Sequence, residues 1–305
     1  MEPKSLDRVV VAGGSGLVGR RLVRSLLDLG ARVEVLTRRP ERADLPRGAA
    51  ARGWEDLPAR LDGASAVINL AGEGIAEKRW TEARKGAIRE SRIRTTRRLV
   101  EAMRDCQRPP AALVNASAIG YYGGRDRSPL GEDAAPGSGF LADTCRAWEA
   151  EAMAASELGV RVVRIRTGVV LAREGGALPK MARPVRAFLG CRLGTGKQGL
   201  SWIHLDDLVA LFLEAARNPS WEGPFNGTAP EPLDNETFTD LLARRLHRPL
   251  IPVPGALSAA ALKTLLGEMA ESLLLQGAFV IPARAQAQGF GFQFADAASA
   301  LEDLL

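Results

Sequence analysis

Cysteine, histidine and tyrosine are all scarce in this chain of 305 residues. The three cysteines are odd in number, lie far apart and include no C-x-x-C pair, which argues against a disulfide framework and a structural zinc site. Only two histidines are present, so the sequence gives little support to a bound metal and we predict none. Metal, thiol and phenol chemistry is therefore confined to a few positions.

The sequence also lacks a long uninterrupted hydrophobic run. Its longest apolar stretch, residues 255–281, is interrupted by Lys263, Glu268 and Glu271, unlike a membrane-spanning segment. The first residues, MEPKSLDRVVVAGG, lack the charged start, apolar middle and small-residue cleavage site of a secretion signal. We therefore expect a soluble, cytoplasmic protein that does not bind membranes.

The charge is modestly positive, with a formal net charge of +5, which suits an anionic small ligand or a nucleic acid. Many of the arginines lie in one segment, RWTEARKGAIRESRIRTTRRLVEAMR, which has the pattern of a single charged helix. Aromatic residues are not interleaved with these arginines as nucleic-acid binding would favour. A solvated helical face is the preferred interpretation, and no nucleic-acid partner is expected.

Residues 7–39, DRVVVAGGSGLVGRRLVRSLLDLGARVEVLTRR, change from an apolar run to a helical pattern and back. Apolar residues recur at helical spacing from Val18 to Leu29, Gly30 ends the helix, and RVEVLTR has the pattern of a second strand. This order predicts a βαβ unit. The segments ASAVINLAG, AALVNASA and VRVVRIRTGVVL then read as strands, separated by helices over residues 81–105 and 140–158. Such alternation predicts a mostly parallel sheet covered on both faces.

The regular alternation weakens after about residue 172, where glycine and proline become frequent and helical patterns predominate. We expect residues 1–172 to form a nucleotide-binding domain, to which segments around 196–230 return. Residues 173–305, with a C-terminal module over 250–305, are expected to form a smaller, mostly helical part that packs over the strand ends and caps the substrate.

The glycine-rich segment VVVAGGSGLVGRRLV lies directly between the first strand and the first helix. Glycines there allow a tight turn and let backbone N–H groups at the helix start approach a pyrophosphate. A sharp structural turn is the alternative, but the strand before and the helix and strand after favour nucleotide binding. The expected cofactor-binding residues of this loop are Gly13, Gly14, Ser15, Gly16, Leu17 and Gly19.

The end of the second strand distinguishes between two cofactors. An acidic residue there would bind the ribose 2′-hydroxyl of NAD, whereas an arginine accommodates the 2′-phosphate of NADP. The strand ends in Thr37, Arg38 and Arg39, while Glu34 lies inside the strand, too early for that role. Although the arginines could simply face solvent, the sequence predicts NADP(H) with these three residues in contact with it.

The motifs AGGSGLVG and SWIHLDDLV resemble those of extended short-chain dehydrogenases/reductases, and the ordered segments SAIGYYG, RTGVVLAREGGALPKM, GLSWIHLDDLV and GPFNGTAP are similar to those of one branch of that family. The chain is most similar to their atypical branch, the epimerase-family or nucleoside-diphosphate-sugar epimerase-like proteins, including a C-terminal module peculiar to that branch. The resemblance extends almost from end to end. It implies an α/β fold with a Rossmann-type, doubly wound parallel sheet and a small, mostly helical C-terminal part that caps the substrate.

The resemblance also implies further contacts with the cofactor. NLAGE would pass along the nicotinamide half, RTGVVL would continue the pocket wall, and Trp54 would lie on the adenine side. Ordinary packing at strand ends is the alternative. The residues concerned are Trp54, Leu70, Ala71, Gly72, Glu73, Ser117, Gly168 and Val169.

In the ordinary family a serine, a Tyr-x-x-x-Lys pair and an upstream asparagine cooperate. The lysine lowers the pKa of the tyrosine, because a phenol with a pKa of about 10 is a poor base at neutral pH. Ser117 matches the serine. Counting back from Glu149, however, places Cys145 at the lysine position and Leu141 at the tyrosine position, and Arg92 stands where the asparagine is expected. These departures are typical of the atypical branch, and they leave the reaction open.

The remaining candidates for catalysis are few: Ser117, Tyr121, Tyr122, Cys145 and Arg92. Tyr122 is expected to line the substrate side, with packing favoured over proton transfer for both tyrosines. Cys145 could be a reactive thiol, but filling the space of the missing lysine is the preferred interpretation. Arg92 could bind an anionic substrate or polarise a carbonyl, or simply face solvent or a phosphate.

His204, in WIHLDDL, is a candidate hydrogen-bond partner of the substrate. Asp206 and Asp207 fit equally well as residues that begin the following helix. We therefore predict an oxidoreductase or epimerase-like enzyme that uses NADP(H) on a small, polar, unidentified substrate, as a monomer or homodimer. The alternative is a catalytically impaired regulator or scaffold that responds to NADP(H).

Overall fold

The computed structural model describes residues 4–305. Its strands, in chain order, are β1 (Arg8–Ala12), β2 (Arg32–Leu36), β3 (Ala50–Arg52), β4 (Ala66–Asn69), β5 (Ala112–Ala118), β6 (Pro129–Leu130), β7 (Arg161–Thr167), β8 (Val169–Ala172), β9 (Gly175–Gly176), β10 (Gly199–Leu200), β11 (Trp202–His204), β12 (Gly223–Gly227), β13 (Leu233–Asp234) and β14 (Phe279–Val280).

The α-helices are α1 (Leu17–Asp28), α2 (Leu57–Leu61), α3 (Glu82–Arg104), α4 (Phe140–Met153), α5 (Leu178–Arg186), α6 (Leu205–Arg217), α7 (Asn235–Arg245), α8 (Gly255–Leu266), α9 (Glu268–Ala270), α10 (Ala283–Ala287) and α11 (Ala297–Leu304). Short 3₁₀ turns cover Pro40–Arg42, Ile119–Tyr122 and Ala154–Leu158, and a π-helical turn covers Glu271–Leu275.

Seven strands form one parallel sheet in the order β12-β7-β5-β4-β1-β2-β3. The buried side chains of α1 and α6 pack on one face, and those of α2 and α3 pack on the other. Because both faces are covered, the central strands are apolar along most of their length, as in VVVA of β1 and AVI of β4. The predicted α/β fold with a doubly wound, Rossmann-type parallel sheet is confirmed.

Two predicted elements differ from the structure. The apolar segment VRVVRIRTGVVL is not one strand, because the chain leaves the central sheet after Thr167 and continues as β8, which pairs with β9 and β11. Gly168 allows this change of sheet, since a Cβ atom there would lie 2.6 Å from the carbonyl oxygen of Ser201. The helix predicted over residues 140–158 ends at Met153 and continues as a 3₁₀ turn.

The C-terminal residues form a region rich in helices beside the sheet, as predicted. Trp202, Phe238 and Leu301 belong to a separate hydrophobic cluster formed mainly by residues beyond 170. Within this region α8 and α9 are separated by Gly267, whose φ is +63°. The domain boundary near residue 172 stays a prediction, although β12 forms the edge of the central sheet.

Candidate cofactor and substrate site

The glycine loop between β1 and α1 is packed too tightly for side chains at several positions. Gly13 has a φ of +82°, and a Cβ atom there would lie 2.7 Å from the backbone carbon of Leu70. A Cβ atom on Gly19 would lie 2.3 Å from the carbonyl oxygen of Gly13, and one on Gly14 would lie 2.7 Å from a methyl group of Val35. The glycines therefore hold the loop, the helix and the neighbouring strands in close contact.

The beginning of α1 is open to a ligand. Gly16 is the N-cap residue and no side chain caps the helix. A Cβ atom on Gly16 would meet only the carbonyl oxygen of Gly13, at 3.5 Å, and Ser15 is exposed. Leu17 lies beside the β8–β9 turn, where a Cβ atom on Gly175 would come within 3.1 Å of its side chain. A helix start whose N–H groups have no side-chain cap fits a pyrophosphate.

The residues after β2 are ordered by backbone contacts and leave two guanidinium groups in solvent. Thr37 donates its N–H to the carbonyl of Arg52 at 2.9 Å, and its hydroxyl accepts the N–H of Arg39 at 3.4 Å. The side chain of Arg38 is 88% exposed and Arg39 is also exposed. Glu34, by contrast, lies 3.4 Å from Arg52. Its carboxylate is therefore occupied within the sheet, as its early position predicts.

The segment after β4 is fixed against the glycine loop and α3. Leu70 donates its N–H to Ala12 at 2.8 Å, and the side chain of Asn69 accepts the N–H of Ala71 at 3.2 Å. The Asn69 amide also donates to Thr96 and Asn115, at 2.9 and 2.7 Å. The structure thus brings Leu70, Ala71 and Gly72 beside the glycine loop.

Arg92, on α3, binds the segment that follows β4. Its guanidinium donates to the carbonyls of Glu73 and Ile88, at 3.0 and 2.9 Å, and lies 5.2 Å from the ring centre of Trp148. Burial lowers the pKa of Arg92 below its ordinary value. A Cβ atom on Gly72 would lie 3.0 Å from the Arg92 guanidinium carbon, so glycine allows the close approach. Arg92 therefore positions the loop that follows β4.

The other residues predicted near the cofactor lie at strand ends and have backbone partners. Gly168 donates its N–H to Gly227 at 2.9 Å, and Val169 donates to Ser201 at 2.8 Å. The carbonyl of Trp54 accepts from Arg98 at 2.6 Å, and the Arg98 guanidinium lies 5.5 Å from the Trp54 ring centre. The N–H groups of Gly168 and Val169 are thus already used in pairing.

Ser117 lies in a buried ionic network. Its hydroxyl donates to Glu149 Oε1 at 2.7 Å, and the same carboxylate receives two hydrogen bonds from Arg166, at 2.8 and 3.0 Å, and one from Arg164 at 3.2 Å. The Ser117 residue is only 3% exposed. Its hydroxyl is committed to Glu149, so the geometry favours a packing role over the predicted catalytic role and contact with the cofactor.

Tyr122 belongs to the same network. Its hydroxyl donates to Asn226 Oδ1 at 2.7 Å and accepts from Arg166 at 2.9 Å, and the residue is fully buried. Burial raises the pKa of the Tyr122 phenol, so the hydroxyl stays protonated. Tyr121 is half-buried, with the Arg166 guanidinium 3.5 Å from its ring centre. Packing, the alternative favoured for both tyrosines, therefore fits better than a catalytic or substrate-binding role.

Cys145 and Leu141 occupy the first turns of α4, where the family pattern places lysine and tyrosine. Cys145 is 4% exposed, and its Sγ lies 3.6 Å from the carbonyl oxygen of Ala118. Burial raises the pKa of the Cys145 thiol to about 11, so the group is neutral at physiological pH. This geometry favours the space-filling interpretation over thiolate chemistry.

His204 caps a helix. Its Nδ1 accepts the N–H of Asp206 at 3.1 Å at the start of α6, and its ring lies 3.9 Å from that of Phe294. The residue is only 2% exposed, and its Nε2 lies 3.3 Å from a carboxylate oxygen of Asp303. His204 is therefore buried between elements, which does not favour the predicted contact with a substrate. Sequence spacing did not reveal that the histidine, rather than an aspartate, caps α6.

A polar cleft of about 1010 Å³ lies between the loop that follows Tyr122, the segment before β10 and the C-terminal region. Its side chains include both basic and amide groups, and Ser138 lies just before α4. No sequence motif pointed to these residues, although the charged loop GGRDRS directly after the two tyrosines contains several of them. The principal polar residues are Arg125, Asp126, Arg127, Ser138, Lys197, Gln198 and Gln276.

Most of the cations at this cleft already have acidic partners. Arg127 pairs with Asp234 at 2.8 Å, and Lys197 pairs with Glu236 at 2.7 Å. Arg125 instead donates to the backbone carbonyls of Tyr122, Ala135 and Pro136. The cleft is thus polar with largely compensated charge. Among residues 4–305 there is no group of three or more side chains suited to a metal ion, and no helix long and apolar enough to cross a membrane.

Comparison with known families identifies the class of protein that this fold and loop define. Residues 9–226 match the NAD dependent epimerase/dehydratase family, to which the chain therefore belongs. Residues 257–304 match a second family, a domain of unknown function, DUF1731. The predicted resemblance to the epimerase-family branch, with its own C-terminal module, is confirmed.

Among curated proteins the chain is similar to the chloroplastic homolog of epimerase family protein SDR39U1 from Arabidopsis thaliana, with 40% identity covering 100% of this chain and 88% of the relative. It is also similar to epimerase family protein Mb2239 of Mycobacterium bovis, with 39% identity covering 93% of each chain.

Among solved structures, the human epimerase family protein SDR39U1 (isoform 2) with NADPH matches with a TM-score of 0.87 and 32% identity, covering 97% of this chain and 98% of that one. The nucleoside-diphosphate sugar epimerase from Corynebacterium glutamicum matches with a TM-score of 0.77 and 32% identity, covering 98% of this chain and 57% of that one.

Proposed function

We propose that this protein binds NADP(H) and uses it in oxidoreduction or epimerisation of a small polar substrate held in the cleft beside α4. The observation that carries the proposal is the combination of the glycine-packed, uncapped start of α1 with two exposed arginines at the end of β2. The similar human protein was solved with NADPH, which supports the choice of cofactor.

In this proposal, backbone N–H groups at the start of α1 bind the pyrophosphate, and Arg38 and Arg39 bind the 2′-phosphate. The segment from Leu70 to Glu73 lies along the cofactor and is held in place by Asn69 and Arg92. The nicotinamide, when bound, supplies a hydride acceptor or donor. The chain itself orients the substrate through the polar groups of the cleft. The glycines of the loop keep β1, α1 and the neighbouring strands in close contact beside the cofactor.

The cofactor assignment is tested by replacing Arg38 and Arg39 together with alanine. Because hydrogen bonds to charged groups contribute about 1.5–3 kcal/mol, we expect NADPH affinity to fall about tenfold or more, while NADH affinity changes little. Fluorescence titration measures both dissociation constants. Arg42→Ala, an exposed arginine in the following 3₁₀ turn, is the control. Equal affinity of the wild-type protein for NADH and NADPH would contradict the assignment.

A second candidate function is an NADP(H)-responsive regulator without turnover. It is favoured by the neutral Cys145 thiol and by the involvement of Ser117 and Tyr122 in buried hydrogen bonds. The two functions differ in hydride transfer, so NADPH deuterated at C4 is incubated with a library of carbonyl compounds, and NADP⁺ with the matching alcohols. Mass-spectrometric detection of deuterium in a product supports the enzyme. If the cofactor binds but no deuterium is transferred and no reduction of NADP⁺ is seen at 340 nm, the regulator is favoured.

A further inference from the structure

Glu73, directly after the NLAG segment, is held in place by three residues of α3. Its N–H donates to the Ser91 hydroxyl at 3.0 Å, and its carbonyl accepts from Arg92 at 3.0 Å. Its carboxylate Oε2 accepts from Arg84 at 3.1 Å, and the Arg84 side chain is only 14% exposed. The position of this carboxylate is therefore fixed by one helix.

The other carboxylate oxygen of Glu73 faces Arg38. Arg38 Nη1 lies 3.9 Å from Glu73 Oε1, and this is the only ionic contact of Arg38 within residues 4–305. The Arg38 side chain is 88% exposed, whereas that of Glu73 is 35% exposed. The pair thus joins a fixed carboxylate to an exposed guanidinium group, and the guanidinium is the one proposed to bind the 2′-phosphate.

We propose that Glu73 is a specificity-determining residue whose carboxylate competes with the 2′-phosphate of NADP(H) for Arg38 and so limits the preference for NADP(H) over NAD(H). The inference rests on the proposed function. A 2′-phosphate monoester carries a charge of about −1.5 to −2 at neutral pH. It must either take Arg38 away from Glu73 or remain near a fixed negative charge, and both reduce its affinity. NAD(H) lacks this group and does not pay this electrostatic cost.

The test is the substitution Glu73→Gln, which removes the charge but keeps an oxygen that can accept from Arg84. Exposed ion pairs contribute little, so we expect NADPH affinity to rise about two- to fivefold at low ionic strength, with NADH affinity unchanged. The gain should shrink as salt is added, because the competing interaction is screened. Isothermal titration calorimetry gives the dissociation constant of each cofactor, and the preference for NADPH is the NADH constant divided by the NADPH constant.

Glu77→Gln is the matched control. Glu77 also faces Arg84, at 3.9 Å, and the substitution removes the same charge from the same loop. Glu77→Gln should leave the preference for NADPH over NADH unchanged. If Glu77→Gln raises the preference for NADPH over NADH as much as Glu73→Gln does, the effect reflects overall charge and the inference fails.

A double-mutant cycle with Arg38→Ala identifies the partner. Glu73→Gln should raise NADPH affinity less in the Arg38→Ala background than in the wild type, because the competition for the guanidinium is gone and only the direct repulsion between the carboxylate and the phosphate remains. If Arg38→Ala abolishes the preference for NADPH but Glu73→Gln binds both cofactors like the wild type, the inference is wrong and the proposed function stands. If the wild type shows no preference and Arg38→Ala has no effect, the proposed function is wrong as well.

Discussion

Single residues at the centre of this fold carry roles that depend on burial rather than on residue type. Cys145 is a potential nucleophile by sequence, yet burial at the start of α4 raises the pKa of its thiol to about 11. Cys106 and Cys191 are only partly buried. Burial also raises the pKa of the Cys106 thiol. Accessibility, which sequence spacing does not reveal, therefore separates the three cysteines.

Alkylation tests this separation. With a pKa of about 11, about 0.03% of the Cys145 thiol is ionised at pH 7.5, and the sulfur is also enclosed. We expect iodoacetamide to modify native Cys145 at least tenfold more slowly than Cys191, with a rate that rises as the pH approaches 11. Peptide mass spectrometry measures each site. Rapid modification of Cys145 near neutral pH would instead establish a reactive thiolate.

Ser117, Tyr122 and His204 show how far sequence patterns predict a site. Their motifs predict strand ends, and the structure has Ser117 near the end of β5, Tyr122 in the turn that follows it and His204 at the end of β11. Their hydrogen-bond partners, however, lie far away in sequence: Glu149 is 32 residues from Ser117 and Asn226 is 104 residues from Tyr122. Tertiary contacts at such distances decide whether a polar side chain faces a ligand or a neighbour, and a local pattern contains no signal for them.

At the scale of secondary structure, the elements were predictable wherever one local pattern determined them. The βαβ units follow from apolar periodicity and from the glycines at their turns. The division of β7 from β8 did not follow, because apolar residues continue on both sides of Gly168 while only the close approach of Ser201 requires the glycine. The extent of α4 follows largely from its local pattern, but its position depends on tertiary contacts, because Glu149 binds Ser117 of β5 and Arg166 of β7.

Substitution of Glu149 tests how strongly α4 is held. Its side chain is 5% exposed, and Glu149→Ala would leave Arg164 and Arg166 without their carboxylate partner. Removal of one partner from a buried ion pair costs about 3–5 kcal/mol, and we expect a loss of that size in the free energy of unfolding. Urea denaturation measures it. Glu151→Ala, two residues further along α4, breaks only the pair with the half-exposed Arg97 and should cost less than about 1 kcal/mol. Equal losses would contradict the role of the network.

At the scale of the whole molecule, the C-terminal region is joined to the sheet by hydrogen bonds as well as by apolar packing. The Asp207 carboxylate, on the first turn of α6, accepts the N–H groups of Gln293 and Phe294 at 2.8 and 2.9 Å. Glu132 accepts the N–H groups of Asn226 and Arg284 at 2.9 and 3.1 Å. Two buried carboxylates thus hold the C-terminal region: Asp207 joins the segment between α10 and α11 to α6, and Glu132 joins α10 to β12 at the edge of the sheet. Gln276 and Gly277, from the same C-terminal region, line the cleft.

Asp207→Ala tests whether this attachment is local. The substitution leaves two N–H groups without their charged acceptor, and we expect a loss of about 1.5–3 kcal/mol for each hydrogen bond, reduced where water replaces the carboxylate. Hydrogen–deuterium exchange should rise in residues 294–304 and stay unchanged in β1 and β4, because the two regions belong to different hydrophobic clusters. The neighbouring Asp206, which pairs with the half-exposed Arg21, provides the control Asp206→Ala. A rise in exchange throughout the central sheet would show that the C-terminal region and the sheet unfold as one unit.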